Sequence, residues 1–213
     1  MRLPAVPTVR AQPSRALRNP SRCWYSSRTA AVRMSPMLAT TVRPATAEDV
    51  SMLGIIGPAA YAEAYSYLWD RADAYSEQLQ TFGQRAFETL LARTDARVWV
   101  GEAAGTMVGF LSMIIGALDP VEHRPRGAAL PRIYILRAAQ HMGLGRLLID
   151  AAVKQSGAEG LSYVWLDVMA SADRARRAYA KWGFREIGTK QFSKAVAAGL
   201  SNMIVLAKDV AVP

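Results

Sequence analysis

The stretch Ile133-Tyr-Ile-Leu-Arg-Ala-Ala-Gln-His-Met-Gly-Leu-Gly-Arg-Leu-Leu-Ile149 constrains the fold of this chain more than any other. Ile133 to Leu136 is a β-branched and aromatic run suited to a buried strand. Leu144, Leu147, Leu148, Ala151 and Ala152 then recur at the i, i+3, i+4, i+7, i+8 spacing of one helical face. Between the two, Gln140-His-Met-Gly-Leu-Gly145 puts glycines at the helix entrance, where missing Cβ atoms let a ligand approach the backbone. The first-turn N–H groups lack intrahelical partners and carry the positive end of the helix dipole, so the entrance favours an anion, phosphate above all. A tight turn that only packs helix on strand would use the same glycines. Two other phosphate loops are excluded: the chain has no Gly-x4-Gly-Lys-Ser/Thr, and Leu148 stands where a Gly-x-Gly-x-x-Gly fingerprint needs its third glycine.

The remaining elements follow from periodicity and punctuation. Residues 39–43 read as a first strand, and Thr46 with Asp49 as a capping box that opens a helix through Val50, Leu53 and Ile56 to about residue 60. A second helix is expected over 76–93. Residues 97–103 and 107–115 read as a hairpin across Ala104-Gly-Thr106, and 119–131 as a loop punctuated by Pro and Gly. Next come a strand over 161–169, a helix over 172–182 ended by Gly183, and closing strands over 184–192 and 202–207. This order predicts an α/β protein whose mixed sheet carries helices on both faces.

Net charge is +9, but eight arginines and no acidic residue fall in residues 1–43, which leaves 18 basic against 17 acidic residues beyond them. The charge therefore belongs to a tail rather than to a folded nucleic-acid-binding surface, and no nucleic-acid partner is expected. Residues 1–37, rich in Arg, Ser and Pro, are expected to be disordered ahead of one domain over 38–210. The tail fits a mitochondrial or plastid transit peptide, although Pro4, Pro7 and Pro13 oppose the amphipathic helix such a peptide needs. A translation start set too early, with Met34 or Met37 as the true one, fits as well and makes the protein cytoplasmic. The longest apolar run, 107–118, is too short to span a bilayer, so no membrane role is expected. Cys23 alone cannot form an internal disulfide, and His123 and His141 lack ligand spacing, so no metal is expected.

A second motif follows in Leu166-Asp-Val-Met-Ala-Ser-Ala-Asp-Arg-Ala-Arg-Arg-Ala-Tyr-Ala-Lys-Trp-Gly-Phe184, a strand followed by Ala-x-x-x-Tyr-x-Lys-x-Gly-Phe. With Gln-x-x-Gly-x-Gly about 35 residues upstream, this pair resembles the GCN5-related N-acetyltransferases (GNAT) over roughly residues 40–209. Arg132-Ile-Tyr-Ile135, the Gly loop and Ile204-Val-Leu-Ala-Lys208 are most similar to the family's spermidine/spermine branch. The resemblance implies the GNAT acyl-CoA N-acyltransferase fold, with acetyl-CoA as co-substrate and a small amine, a polyamine first, as acceptor. It also leaves a homodimer open.

By that likeness Ile135, Leu136 and Arg137 offer backbone contacts to pantetheine, with Leu136 N–H as oxyanion donor. His141, Met142, Gly143, Leu144, Gly145 and Arg146 cradle the pyrophosphate, and Lys181 meets the 3′-phosphate or is a surface charge. Tyr179 protonates the leaving thiolate, against a plain reading as a packed core tyrosine whose hydroxyl finds a partner. Two departures stand out. Ala172 replaces an Asn that contacts CoA in relatives, and Ala129-Leu-Pro131 replaces a segment that often holds a Glu as general base. Glu122 and Asp119 are the substitutes in reach of the sequence. The acidic residues Glu63, Asp70, Asp73 and Glu77, with 119–122, could line a polyamine cleft. Acetylation of a protein N-terminus or lysine, and CoA binding without turnover, stay open as alternatives.

Overall fold

The computed structural model describes residues 39–211, and the expected tail over residues 1–37 lies outside them. The elements are β1 (Thr40–Pro44), α1 (Val50–Tyr65), α2 (Ala72–Gln80), α3 (Gln84–Leu91), β2 (Ala96–Ala103), β3 (Thr106–Ile115), β4 (Gly127–Ile135), α4 (Leu144–Ala158), β5 (Tyr163–Met169), α5 (Asp173–Lys181), β6 (Arg185–Gln191) and β7 (Asn202–Asp209). They form one seven-stranded sheet in the order β1-β2-β3-β4-β5-β7-β6. All neighbours are antiparallel except β4 and β5, whose parallel pairing needs the crossover that α4 supplies. The expected mixed α/β architecture is therefore the observed one. No helix among the described residues is long and apolar enough to cross a membrane.

Strand alternation splits the core into two faces. Leu111, Met113, Leu166 and Phe184 pack with Leu144, Leu148, Ile149 and Ala152 of α4 on one side. Val98, Val100 and Phe110 pack with Leu53, Ile56 and Tyr61 of α1 and Phe87 of α3 on the other. Helix α1 runs five residues beyond its expected end, through Pro58, because its last turn is held by aromatic packing. Tyr61 lies 4.8 Å from Phe82 and 5.7 Å from Tyr134, ring centre to ring centre. Thr46 N–H donates to Asp49 Oδ2 at 2.8 Å, so Asp serves where Glu is usual in the capping box.

The second expected helix is two. Thr81 Oγ1 donates to the Gln78 carbonyl at 2.7 Å, and extended Gly83 caps α3, so the break lets Phe82 drop into the core. The expected 119–131 loop is also shorter than its composition implies, because β4 begins at Gly127. That glycine serves packing, since a Cβ there would lie 2.4 Å from the Tyr163 ring. Pro131 sits inside the strand at a bulge: between the pairs Ile114–Ala129 and Ser112–Arg132, β4 spends one residue more than β3. A bulge is where a residue without an N–H is tolerated in a strand.

Past this bulge the sheet parts. Strands β4 and β5 pair only at Gly127–Tyr163, Ala128–Val164 and Ala129–Trp165. Beyond them β4 follows β3 to Ile135 while β5 follows β7 to Met169, leaving a wedge between two strands that started as neighbours.

Candidate active site

The wedge opens toward the entrance of α4. His141 and Gly143 both have left-handed backbones, with φ of 70° and 82°. This twist aims a run of amides outward. The N–H groups of His141, Met142, Gly143, Leu144 and Gly145 have no acceptor among the described residues, whereas Gln140 N–H bonds the Arg137 carbonyl and Arg146 N–H the Gly143 carbonyl. Five consecutive free donors at the positive end of a helix form a concave anion site. The two glycines serve different ends. A Cβ on Gly143 would meet nothing within 4 Å, so that glycine is there for its φ and for the open space above it. A Cβ on Gly145 would lie 2.9 Å from the Trp182 ring, so its missing side chain admits α5 rather than a ligand. Leu144 is buried and anchors the helix start against Gly101 of β2.

The charged groups expected at this loop are partly engaged. His141 Nε2 lies 2.5 Å from Arg174 of α5, which brings a guanidinium to the loop that the sequence did not single out. Arg146 pairs with Asp150 one turn along α4. Lys181 is exposed and has no ion-pair partner among the described residues. Ala172 N–H bonds the Met169 carbonyl and its side chain packs on the core, with no polar atom to offer a ligand.

Along and just past β4, hydrogen bonds already made correct two expectations. Leu136 N–H donates to the Val108 carbonyl at 2.8 Å, so it cannot serve as the oxyanion donor. Arg137 N–H donates to Glu63 Oε2 at 2.6 Å and is likewise spent. In an antiparallel pair, alternate residues turn their N–H groups to opposite sides. With Leu136 facing β3, Ile135 and Ile133 face the wedge, where β5 has already moved away. Of the three residues expected to contact pantetheine, Ile135 alone keeps a free N–H.

Tyr179 stands across the wedge on α5, its ring 5.6 Å from Phe184 and 5.7 Å from Trp182. Its hydroxyl has no hydrogen-bond partner among the described residues, unlike a core tyrosine with a satisfied hydroxyl. Burial, and secondarily the Asp167 carboxylate, push its pKa above the ordinary phenol value.

Next to it a cavity of about 160 Å³ is lined by Tyr61, Tyr65 and Leu68 from above, Gln78, Thr81 and Phe82 from the α2–α3 junction, and Pro131, Arg132, Tyr134, Asp167, Val168, Met169, Phe192 and Met203 from the strands and the β6–β7 loop. Desolvation pushes the pKa of Tyr61 up to about 12 and raises that of Tyr65 and Tyr134, so all stay neutral hydroxyls. The cavity is not acidic. Its one carboxylate, Asp167, is ion-paired with Lys190. Arg132 also borders it, stacked 4.8 Å over the Phe82 ring, and neither residue was assigned a role from the sequence.

The substitutes for a general base lie elsewhere. Asp119 is buried and accepts N–H bonds from Val121, Glu122, His123 and Arg124 and a 2.9 Å bond from the Tyr163 hydroxyl. Burial alone would raise its pKa, but these donors outweigh it and hold the carboxyl at about 2. Asp119 is thus the clamp of its own loop. Glu122 pairs with Arg124 and Arg185. Of the other acids, Glu63 holds the Arg137 amide and Asp73 pairs with Arg71, and none of Glu63, Asp70, Asp73 and Glu77 lines the cavity.

The family model described as acetyltransferase (GNAT) family matches residues 61–184. A curated relative, the uncharacterized N-acetyltransferase in the pepI 3′ region of Lactobacillus delbrueckii subsp. lactis, is 28% identical over 88 residues, which are 41% of this chain. The match spans about half of that relative, 51% of its length. Among solved structures, the PaiA N-acetyltransferase of Thermoplasma acidophilum in complex with coenzyme A superposes with a TM-score of 0.65 at 18% identity, covering 81% of this chain and 99% of that one. The ribosomal-protein-S18-alanine N-acetyltransferase of Escherichia coli gives 0.57 at 19% identity over 82% and 96%. A GCN5-related N-acetyltransferase of Kribbella flavida gives 0.59 at 20% over 81% and 98%. At these identities the structures share the fold with this chain.

Proposed function

The chain belongs to the GNAT acetyltransferase family, and on that premise we propose that it transfers an acetyl group from acetyl-CoA to a primary amine of a small molecule. The observation that carries this reading is the run of free N–H groups from His141 to Gly145, a donor set suited to a diphosphate at the end of a wedge suited to an extended chain. Ile133 and Ile135 face that wedge as the edge of an unfinished ladder, which an amide-bearing chain such as pantetheine can complete.

When bound, acetyl-CoA supplies an acyl group activated as a thioester. Ile135 N–H is then the backbone donor for the charge that develops on the thioester oxygen, in place of Leu136. Tyr179, kept protonated by burial, carries the proton for the departing sulfur. The cavity's small volume fits a small amine better than a folded chain. A polyamine acceptor, the narrower expectation, draws no support from a cavity whose single carboxylate is already neutralised by Lys190.

The test is a thermal-shift titration with acetyl-CoA followed by a screen of amines for acceptor-dependent CoA release. Binding to the native state raises the melting temperature as ligand exceeds its Kd. A melting temperature unmoved by millimolar acetyl-CoA would remove the reading altogether.

A further inference from the structure

We infer that the acceptor carries an anionic group beside its reactive amine, and that Arg132 is the residue that receives it; this rests on the acetyl-transfer reading above. Arg132 leaves β4 on the same face as Tyr134, toward α1 and α3, and its guanidinium borders the cavity. The guanidinium stacks over Phe82 at 4.8 Å and lies 5.8 Å from the Phe87 ring centre. It forms no ion pair and no hydrogen bond with any described residue, whereas the cavity's carboxylate, Asp167, is taken by Lys190. With Asp167 paired to Lys190, the Arg132 guanidinium is the cation left without a counter-charge at the cavity.

Arg132 is half-buried, so its guanidinium gives up part of its hydration without gaining a carboxylate, which is costly unless something else meets it. The rings of Phe82 and Phe87 lie against Arg132, while its N–H donors bond no described residue. Burial pulls its pKa below the usual arginine value, the response of a cation without an acidic neighbour. A planar fork suits a carboxylate or a phosphonate in bidentate contact. The same charge repels a second ammonium. A diamine or polyamine therefore meets repulsion where an amino acid meets a partner.

Spacing narrows the class further. Arg132 lies three residues before Ile135, or about 10 Å of strand at ~3.3 Å per residue. A separation of that order suits an acceptor whose anion and reacting amine stand several bonds apart, as in an ω-amino acid or an amino acid acetylated on its side-chain amine.

The matched ligands are 5-aminopentanoate and 1,5-diaminopentane, five-carbon chains that share an amine at one end and carry a carboxylate or a second ammonium at the other. Their binding to the CoA-loaded protein is measured by calorimetry, and their turnover by CoA release, for the wild type, Arg132→Gln and Arg132→Lys. The wild type is expected to bind the amino acid about tenfold or more tighter than the diamine, the scale of one charge-assisted hydrogen bond. Arg132→Gln should bring the two within about twofold, and Arg132→Lys should restore part of the preference. Equal binding by the wild type, or a ratio unchanged in Arg132→Gln, overturns the assignment, and the wild-type ratio decides even where a variant does not fold. A preference for the amino acid without turnover of either ligand supports Arg132 as the anion site and counts against acetyl transfer alone.

Discussion

Gly143→Ala probes the anion loop directly, and its cost follows from the geometry. Gly143 has φ 82° and ψ −7°, and an added Cβ would touch nothing within 4 Å. Collision with neighbours therefore contributes nothing, and the whole penalty is the clash of a Cβ with its own backbone in the left-handed region, about 1–2 kcal/mol. If the loop keeps its shape, the cost appears as lost stability, about 2–8 °C in Tm at roughly 2–4 °C per kcal/mol for a domain of this size. If instead φ relaxes to a negative value, the peptide planes on either side rotate and the run of amides no longer converges. The same energy then appears as acetyl-CoA affinity lowered by about 5- to 30-fold. Differential scanning calorimetry and a calorimetric titration with acetyl-CoA measure both quantities, and their sum is what the dihedral argument fixes. Gly143→Asn should recover most of the loss, because Asn enters the left-handed region at lower cost. An alanine variant with unchanged Tm and unchanged affinity would refute the reasoning, because the backbone would then not need the glycine.

Two further outcomes are expected. Tyr179→Phe should bind acetyl-CoA within about twofold of the wild type while kcat falls by about 10²-fold or more, as for loss of a general acid; turnover equal to the wild type in a stopped assay ends that assignment. Asp119 has a pKa lowered from 3.8 to about 2, so it stabilises the fold above pH 4 and that contribution is lost as pH falls through about 2. Asp119→Asn should accordingly be less stable than the wild type at pH 7 by about 2 kcal/mol, with the difference shrinking toward pH 2; a gap in denaturant melts that stays constant across this range contradicts the clamp.

How much of this was legible in the sequence depended on whether the signal was local. The α4 entrance was readable because left-handed φ and free first-turn amides write themselves as glycines at fixed spacing, and Gly143 stands where that predicts. The helical period placed Tyr179 on α5 beside Trp182, whereas its role came only from the family resemblance. Strand β4 was misjudged at its start because Gly127 and Pro131 look like loop residues until one sees the Tyr163 ring resting on the first and a bulge absorbing the second. Leu136 fails as a free donor for a related reason. A strand's sequence gives its period of two, but which parity faces the wedge is set by where β3 happens to bond, at Val108. Asp119 looked free because its partners are the backbone amides of its own loop, and amides are invisible to composition. Arg132 was passed over because a charged residue in a strand reads as solvent-facing until Phe82 and Phe87 are seen beneath it.

The parting of β4 from β5 also bears on how the sheet avoids pairing with another edge. Free strand amides are sticky templates, and proteins usually guard them at the rim of a sheet with charge, as β6 does with Arg185, Glu186 and Lys190. Here the vulnerable amides lie in the middle, in a slot that closes at Ala129 and Trp165. Shape does the guarding: a slot that narrows to nothing turns away the edge of another protein and admits only a filament one chain thick. The discrimination between a visitor and an aggregate is thus settled by width, before any contact with a particular chemical group is made.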